Sequence, residues 1–235
     1  AEEKEYLNRQ YEEEQARMQS VKKYTIFQAF SDPKVLKLCF IYFMWVIGFW
    51  GFNFWMPTVL KGLSGWSTGF LGGAIAIPMT AALLVQVIIG KTSTKTGDKV
   101  WHVAGALLVG AVGLGLSPFA DDMYTALFLV CLSAIGIYAA MGVWWTIPTS
   151  FLSGSAAAGS VALINSCGNL GGWVGPYMMG WLKTETGSFD TGYFLMALFM
   201  FIAALTVLTI QYRWNGARKT AQRESEHPVP LQQEA

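Results

Sequence analysis

Val161-Ala162-Leu163-Ile164-Asn165-Ser166-Cys167-Gly168-Asn169-Leu170-Gly171-Gly172-Trp173-Val174-Gly175-Pro176-Tyr177-Met178-Met179-Gly180-Trp181-Leu182 is apolar enough to cross a bilayer, yet it is the least lipid-like of the long apolar segments. On a helix Asn165 and Asn169 share a face, which Gly172 and Pro176 continue at the same spacing. Gly168 with Gly172, and Gly171 with Gly175, repeat the small-xxx-small spacing that lets membrane helices approach closely. A helix that packs tightly on one flank and offers two carboxamides on the other reads as a cavity wall.

Composition agrees with a membrane setting. The chain is 53% hydrophobic and only 13% charged, about half the charge of an average soluble domain, which is roughly 25%. A net charge of +1 gives no general attraction to nucleic acid. Cys39, Cys131 and Cys167 lie in apolar segments without metal-ligand or redox spacing and read as reduced packing residues. Opening on Ala1 and a run of charge, the chain reads as cut from something longer.

Six spans are expected, making an all-α membrane protein. A charged, solvated helix covers Glu2 to Ser20 within a cytoplasmic segment, residues 1–34, that ends at Asp32-Pro33, a helix start. The membrane domain occupies 35–212. Its spans run from about Leu36 to Leu60, Thr68 to Gly90, Trp101 to Phe119 and Met123 to Leu152, then through the quoted segment, and last from Phe189 to Gln211. Pro78 predicts a kink in the second. Tyr212, Arg213 and Trp214 read as an interfacial anchor, and 213–235 as a disordered cytoplasmic tail. Of the 16 Lys and Arg, 14 fall on the side of the termini, leaving Lys61 and Lys183 opposite. The positive-inside rule therefore makes both termini cytoplasmic.

No Asp, Glu, Lys, Arg or His falls in the middle of a span. Since buried charges mark ion pathways and proton relays, any coupling acid lies elsewhere. His102 at a membrane edge and His227 in the tail form no nucleophile and base pair, so an enzyme is not expected, and nothing calls for a cofactor or a metal. The glycine pattern lacks the preceding strand and following lysine of a phosphate loop.

Depth sorts the polar residues that remain. Counted from Ala156 at 1.5 Å per residue, Asn165 lies about 14 Å in, near the midplane where secondary transporters hold their cargo. Asn169 is one turn further. Tyr138, Gly142, Trp145 and Thr149 share a face of the fourth span, and Tyr42, Phe49 and Asn53 share one on the first. An interhelical hydrogen bond is the alternative to a ligand role for Asn169, Gln86 and Asn53. Of the paired tryptophans, Trp144 fits an interfacial anchor better than Trp145.

Three stretches resemble a known family: Trp145 through Ile147, Pro148 and Thr149 to Gly154; Ile164 to Gly172; and Val174-Gly175-Pro176 leading to Gly180-Trp181-Leu182-Lys183. They are similar to the C-terminal half of the anion:cation symporter family, within the major facilitator superfamily. The resemblance implies one six-helix half of a twelve-helix fold in a bacterial-type inner membrane, with the N-terminal half absent from this chain. It also implies alternating access around a central site. It further implies secondary transport of a small organic anion, such as a sugar acid, dicarboxylate or aromatic carboxylate, with the proton as coupling ion. Trp145 and Asn165 match positions that contact the cargo, and Asn169, Asn53 and Tyr138 join them as candidates. The anion-binding arginine and coupling carboxylates belong to the other half. In the Gly90 to Lys99 loop, Thr94 and Lys95 stand where the superfamily signature has Asp-Arg, which implies weaker charge pairing there. A six-helix structural or partner-binding subunit without transport of its own is the competing expectation.

Overall fold

A computed structural model describes residues 30–150 and 154–226, apart from the side chains at 63, 68, 154–157 and 211–226. The helices are α1 (Pro33–Ser64), α2 (Thr68–Thr96), α3 (Val100–Leu116), α4 (Met123–Ala139), α5 (Met141–Trp144), α6 (Gly154–Asn169), α7 (Gly171–Thr186) and α8 (Asp190–Glu226). No strand occurs among the described residues. The charged helix expected before residue 30 lies outside them, as does the tail after Glu226.

Helix ends follow local chemistry. Asp32 accepts a hydrogen bond from the Lys34 amide at 2.7 Å, with Pro33 in the first turn of α1, as a capping carboxylate and an N-terminal proline dictate. Ser67 caps α2, and the Asp122 carboxylate takes the amides of Tyr124 and Thr125 at the start of α4. Gly65, Gly97 and Gly187 close α1, α2 and α7 in the left-handed region, where a Cβ is costly.

α1 is the hub. α6 and α7 run along one side of it and α8 along another; α3 packs between α8 and α4, and α2 lies on α4's outer flank. Among the described residues, five helical segments are long and apolar enough to span a membrane: Pro33–Gly62, Gly69–Thr96, Val100–Phe119, Met123–Ser150 and Asp190–Ile210. The remaining, fifth apolar segment in chain order is present as two helices of 16 residues each. Leu170 between them keeps helical angles, φ −59° and ψ −31°. Its carbonyl accepts from both Trp173 and Val174, at 3.1 and 3.2 Å, so the chain continues with a local irregularity. The expected fourth span also breaks, after Ala139 and again after Trp144, where short-range bonds such as Thr146 N to Val143 O replace the regular ladder. The last helix continues past Gln211, where the sequence ends the span, to Glu226.

Glycines decide which backbones touch. A Cβ on Gly175 would come within 2.3 Å of the Ile47 carbonyl oxygen, and one on Gly171 within 2.8 Å of that of Phe43. The second seam of this kind joins α3 to α4: a Cβ on Gly136 would fall 2.0 Å from the Gly110 nitrogen. Such contact gives bilayer helices the packing that a hydrophobic drive does not supply.

Candidate cargo site

Asn53, two turns before the end of α1's apolar stretch, donates its amide to the Phe49 carbonyl at 2.7 Å. Its oxygen accepts the Tyr138 hydroxyl at 2.5 Å. The Tyr138 ring leans on Phe49, with centroids 5.0 Å apart. Asn53 thus bonds between helices and sits half-buried beside the Phe49 and Tyr138 rings.

Trp145 meets the Tyr42 ring edge-on at 5.1 Å. Tyr42 stacks on Trp144 at 5.9 Å with 14° between planes, and Trp45 stands edge-on to both. Trp45 donates to the Ile137 carbonyl at 3.1 Å, tying α1 to α4 near the break after Ala139. Trp144 is fully buried in this cluster, which corrects its expected place at the interface. The pattern that misled is the Trp-Trp pair near a helix end: the turn after Trp144 directs one ring inward and leaves the other half-exposed.

Asn165 and Asn169 are exposed on α6 and bonded to each other, Nδ2 of Asn169 to Oδ1 of Asn165 at 3.1 Å. Their stripe continues along α7 as Trp173, Tyr177 and Trp181, all exposed. Trp173 and Tyr177 stack at 5.2 Å. Gly172, expected to extend the polar face, lies instead against Trp50. Pro176 is half-buried, and its carbonyl accepts the Trp55 indole N–H at 3.0 Å.

The five candidates therefore fall into two sets. Asn53 and Tyr138 bond where α1 meets α4, with Trp145 packed on Tyr42 about three turns earlier along α1, while Asn165 and Asn169 share the open face of α6. No hydrogen bond or ring contact joins the sets among the described residues, but Tyr42 lies between them: a Cβ on Gly168 would come within 2.0 Å of its ring, and its other edge meets Trp145. Cys39 and Cys167 also neighbour each other across this α1–α6 contact, a proximity that sequence spacing does not reveal.

Two further features were not anticipated. Lys99 reaches from the α2–α3 loop to the Thr146 carbonyl, 3.0 Å away, in the irregular turn after α5. Thr94, in the place of the signature aspartate, turns back on its own helix to the Gly90 carbonyl. Towards the opposite end of α1 a cavity of about 350 Å³ is lined by Thr58, Ser117, Lys183, Ser188, Asp190 and Tyr193, with none of the five candidates in its wall.

This helical, membrane-length architecture with a break in the fourth span matches a known family in sequence as well. The family model of the Major Facilitator Superfamily matches residues 2–176. The chain belongs to the Major Facilitator Superfamily. A putative tartrate transporter of Agrobacterium vitis is 39% identical over 189 residues, covering 80% of this chain and 43% of that protein. The inner membrane transport protein RhmT of Escherichia coli (strain K12) is 31% identical over 222 residues, 94% of this chain and 50% of RhmT. A quinolone resistance transporter of Acinetobacter baumannii is 31% identical over 208 residues, 88% and 48% of the two chains. The chain spans about half the length of these curated relatives. Its helices are thus half of a Major Facilitator Superfamily fold, and its relatives are transporters rather than enzymes.

Proposed function

We propose that this half, together with a second six-helix half, carries a small organic anion across a bacterial-type inner membrane by alternating access and proton symport. The observation that carries this reading is the Asn53–Tyr138 pair beside Phe49, with Trp145 packed on Tyr42 further along α1: an uncharged set of amide, hydroxyl and aromatic groups within membrane-spanning segments. Such groups orient a solute without trapping it. The name of the tartrate relative supports a hydroxylated dicarboxylate or sugar acid as cargo, and that of the quinolone resistance relative supports a site that accepts aromatic rings. Asn165 and Asn169 complete the path from the α6 side.

An anion entering hydrocarbon needs a compensating charge. The proposal assigns that charge, and the acid that carries the proton, to the second half. The excess of Lys and Arg on the side of the termini supports their cytoplasmic placement.

The test is uptake by proteoliposomes holding the complete two-half transporter, screened against labelled sugar acids, dicarboxylates and aromatic acids with and without an inward-acid pH gradient. Saturable uptake of one class, accelerated by the gradient, is expected. Uptake of none refutes the transport reading, and uptake indifferent to the gradient refutes proton coupling.

A further inference from the structure

Gln86 lies within the α2 span, half-buried, and the amide end of its side chain points at Gly142 in α5. A Cβ placed on Gly142 would have as its only neighbour within 4 Å the Gln86 Nε2, at 3.7 Å. The glycine therefore leaves a notch that opens onto the carboxamide. Among the neighbouring polar side chains, Asn53 and Tyr138 bond to one another and Trp45 bonds to the Ile137 carbonyl, while the buried indole N–H of Trp144 has no partner among the described residues. The Gln86 carboxamide has no hydrogen-bond partner among the described residues and is not sealed from its surroundings.

An unpaired amide at membrane depth is costly against lipid, which offers it neither donor nor acceptor. Gly142 lies in the short helix between the breaks after Ala139 and Trp144, along the chain between Tyr138 and Trp145, so the notch opens next to two residues of the proposed cargo path. A carboxamide presents a donor and an acceptor together. A carboxylate, acceptor only, leaves its oxygen unpaired; an alcohol satisfies both ends.

We propose that Gln86 is a specificity residue that recognises a hydroxyl group of the cargo through the Gly142 notch, and so separates hydroxylated organic acids from their deoxy counterparts. The inference rests on the transport reading above and narrows its substrate class. Tartrate and succinate share one carbon skeleton and differ in two hydroxyls, which makes them the discriminating pair.

The experiment uses the complete transporter in proteoliposomes, with tartrate and succinate as competitors against whichever labelled acid the wild type takes up. Wild type is expected to bind tartrate the more tightly. Gln86→Met, which keeps length and loses the amide, is expected to weaken tartrate about fivefold, the worth of one hydrogen bond, and so to lower the tartrate-to-succinate ratio by the same factor. Gly142→Ser places a hydroxyl beside the amide with ordinary contact distances, and is expected to lower the same discrimination in a normally folded protein. Equal competition by the two acids in wild type, or a tartrate-to-succinate ratio that neither variant changes, overturns the inference. So does a loss of folded protein in Gln86→Met with unaltered discrimination in Gly142→Ser, which assigns the amide to a helix of the second half. Absence of uptake of any acid by wild type instead refutes the transport reading.

Discussion

The hydroxyl of Tyr138 donates to the side-chain oxygen of Asn53 at 2.5 Å, and this bond joins α4 to α1 at the level of the proposed cargo. The same two groups that would orient a solute hold each other in its absence. Tyr138→Phe should then cost about 1 kcal/mol of helix association and raise the cargo KM several-fold. Uptake kinetics alongside thermal unfolding in detergent check this; a stability loss with unaltered KM makes the pair purely a fastener.

Asn165→Ala should weaken cargo uptake while the protein reaches the membrane at normal levels. Asn165 is exposed, and its one bond goes to Asn169 four residues along the same helix, so its removal leaves no buried partner unpaired. Unchanged uptake, read in the same vesicles, would reassign the two asparagines to contact with the second half.

The glycine seams predict an order of damage. Gly175→Ala and Gly136→Ala each drive a methyl into backbone, at 2.3 and 2.0 Å, and should abolish folded protein or transport of every cargo. Gly172→Ala meets only the edge of Trp50 at 2.9 Å, which a ring rotation relieves, so it should be mild; Gly172→Leu, too large for that relief, should impair transport. Size-exclusion profiles of the variants test the ranking, and a well-folded Gly175→Ala protein would refute the close-packing account.

How much of this was readable in advance depended on whether a signal was local. Asp32-Pro33 announced a helix start because capping needs only neighbouring residues. The six apolar segments followed from hydropathy, and the Gly168 to Gly175 seam from its spacing. The companion seam of Gly110 and Gly136 was hidden, because only the fold brings these two glycines together. For the same reason the sequence does not reveal that Trp144 turns inward or that Tyr138 and Asn53 bond to each other. The split at Leu170 left no trace in composition, since leucine favours a helix and its dihedral angles stay helical there.

Lys99 bonds the Thr146 carbonyl that the irregular turn after α5 leaves without a helical partner. Lys99→Met should loosen this tie and alter the maximal transport rate more than the KM, because the residue touches the turn and not the cargo face. Stopped-flow uptake at saturating substrate tests it; a change confined to KM would place the lysine in the cargo path instead.

At the membrane edge, hydrogen bonds from Thr125, its hydroxyl foremost, hold the Asp122 carboxyl below its ordinary value. A depressed carboxylate contributes stability that is present above its unfolded value and is lost only as pH falls through the folded one. Between pH 8 and pH 5 the group is ionised folded or unfolded, so the destabilisation caused by Asp122→Ala should be the same at both pH values. A penalty that shrinks markedly at pH 5, measured by thermal unfolding, would contradict the capping role.

Gly171 and Gly175 seat the backbone of α7 directly on that of α1, and Trp55 adds an indole bond to the Pro176 carbonyl. Two rods joined so closely act as one lever. A tilt of α1 would carry the exposed Trp173, Tyr177 and Trp181 of α7 with it. On the proposed transport reading, a displacement of α1 would reach the open face of α6 and α7 by stiffness alone, with no need for a separate relay.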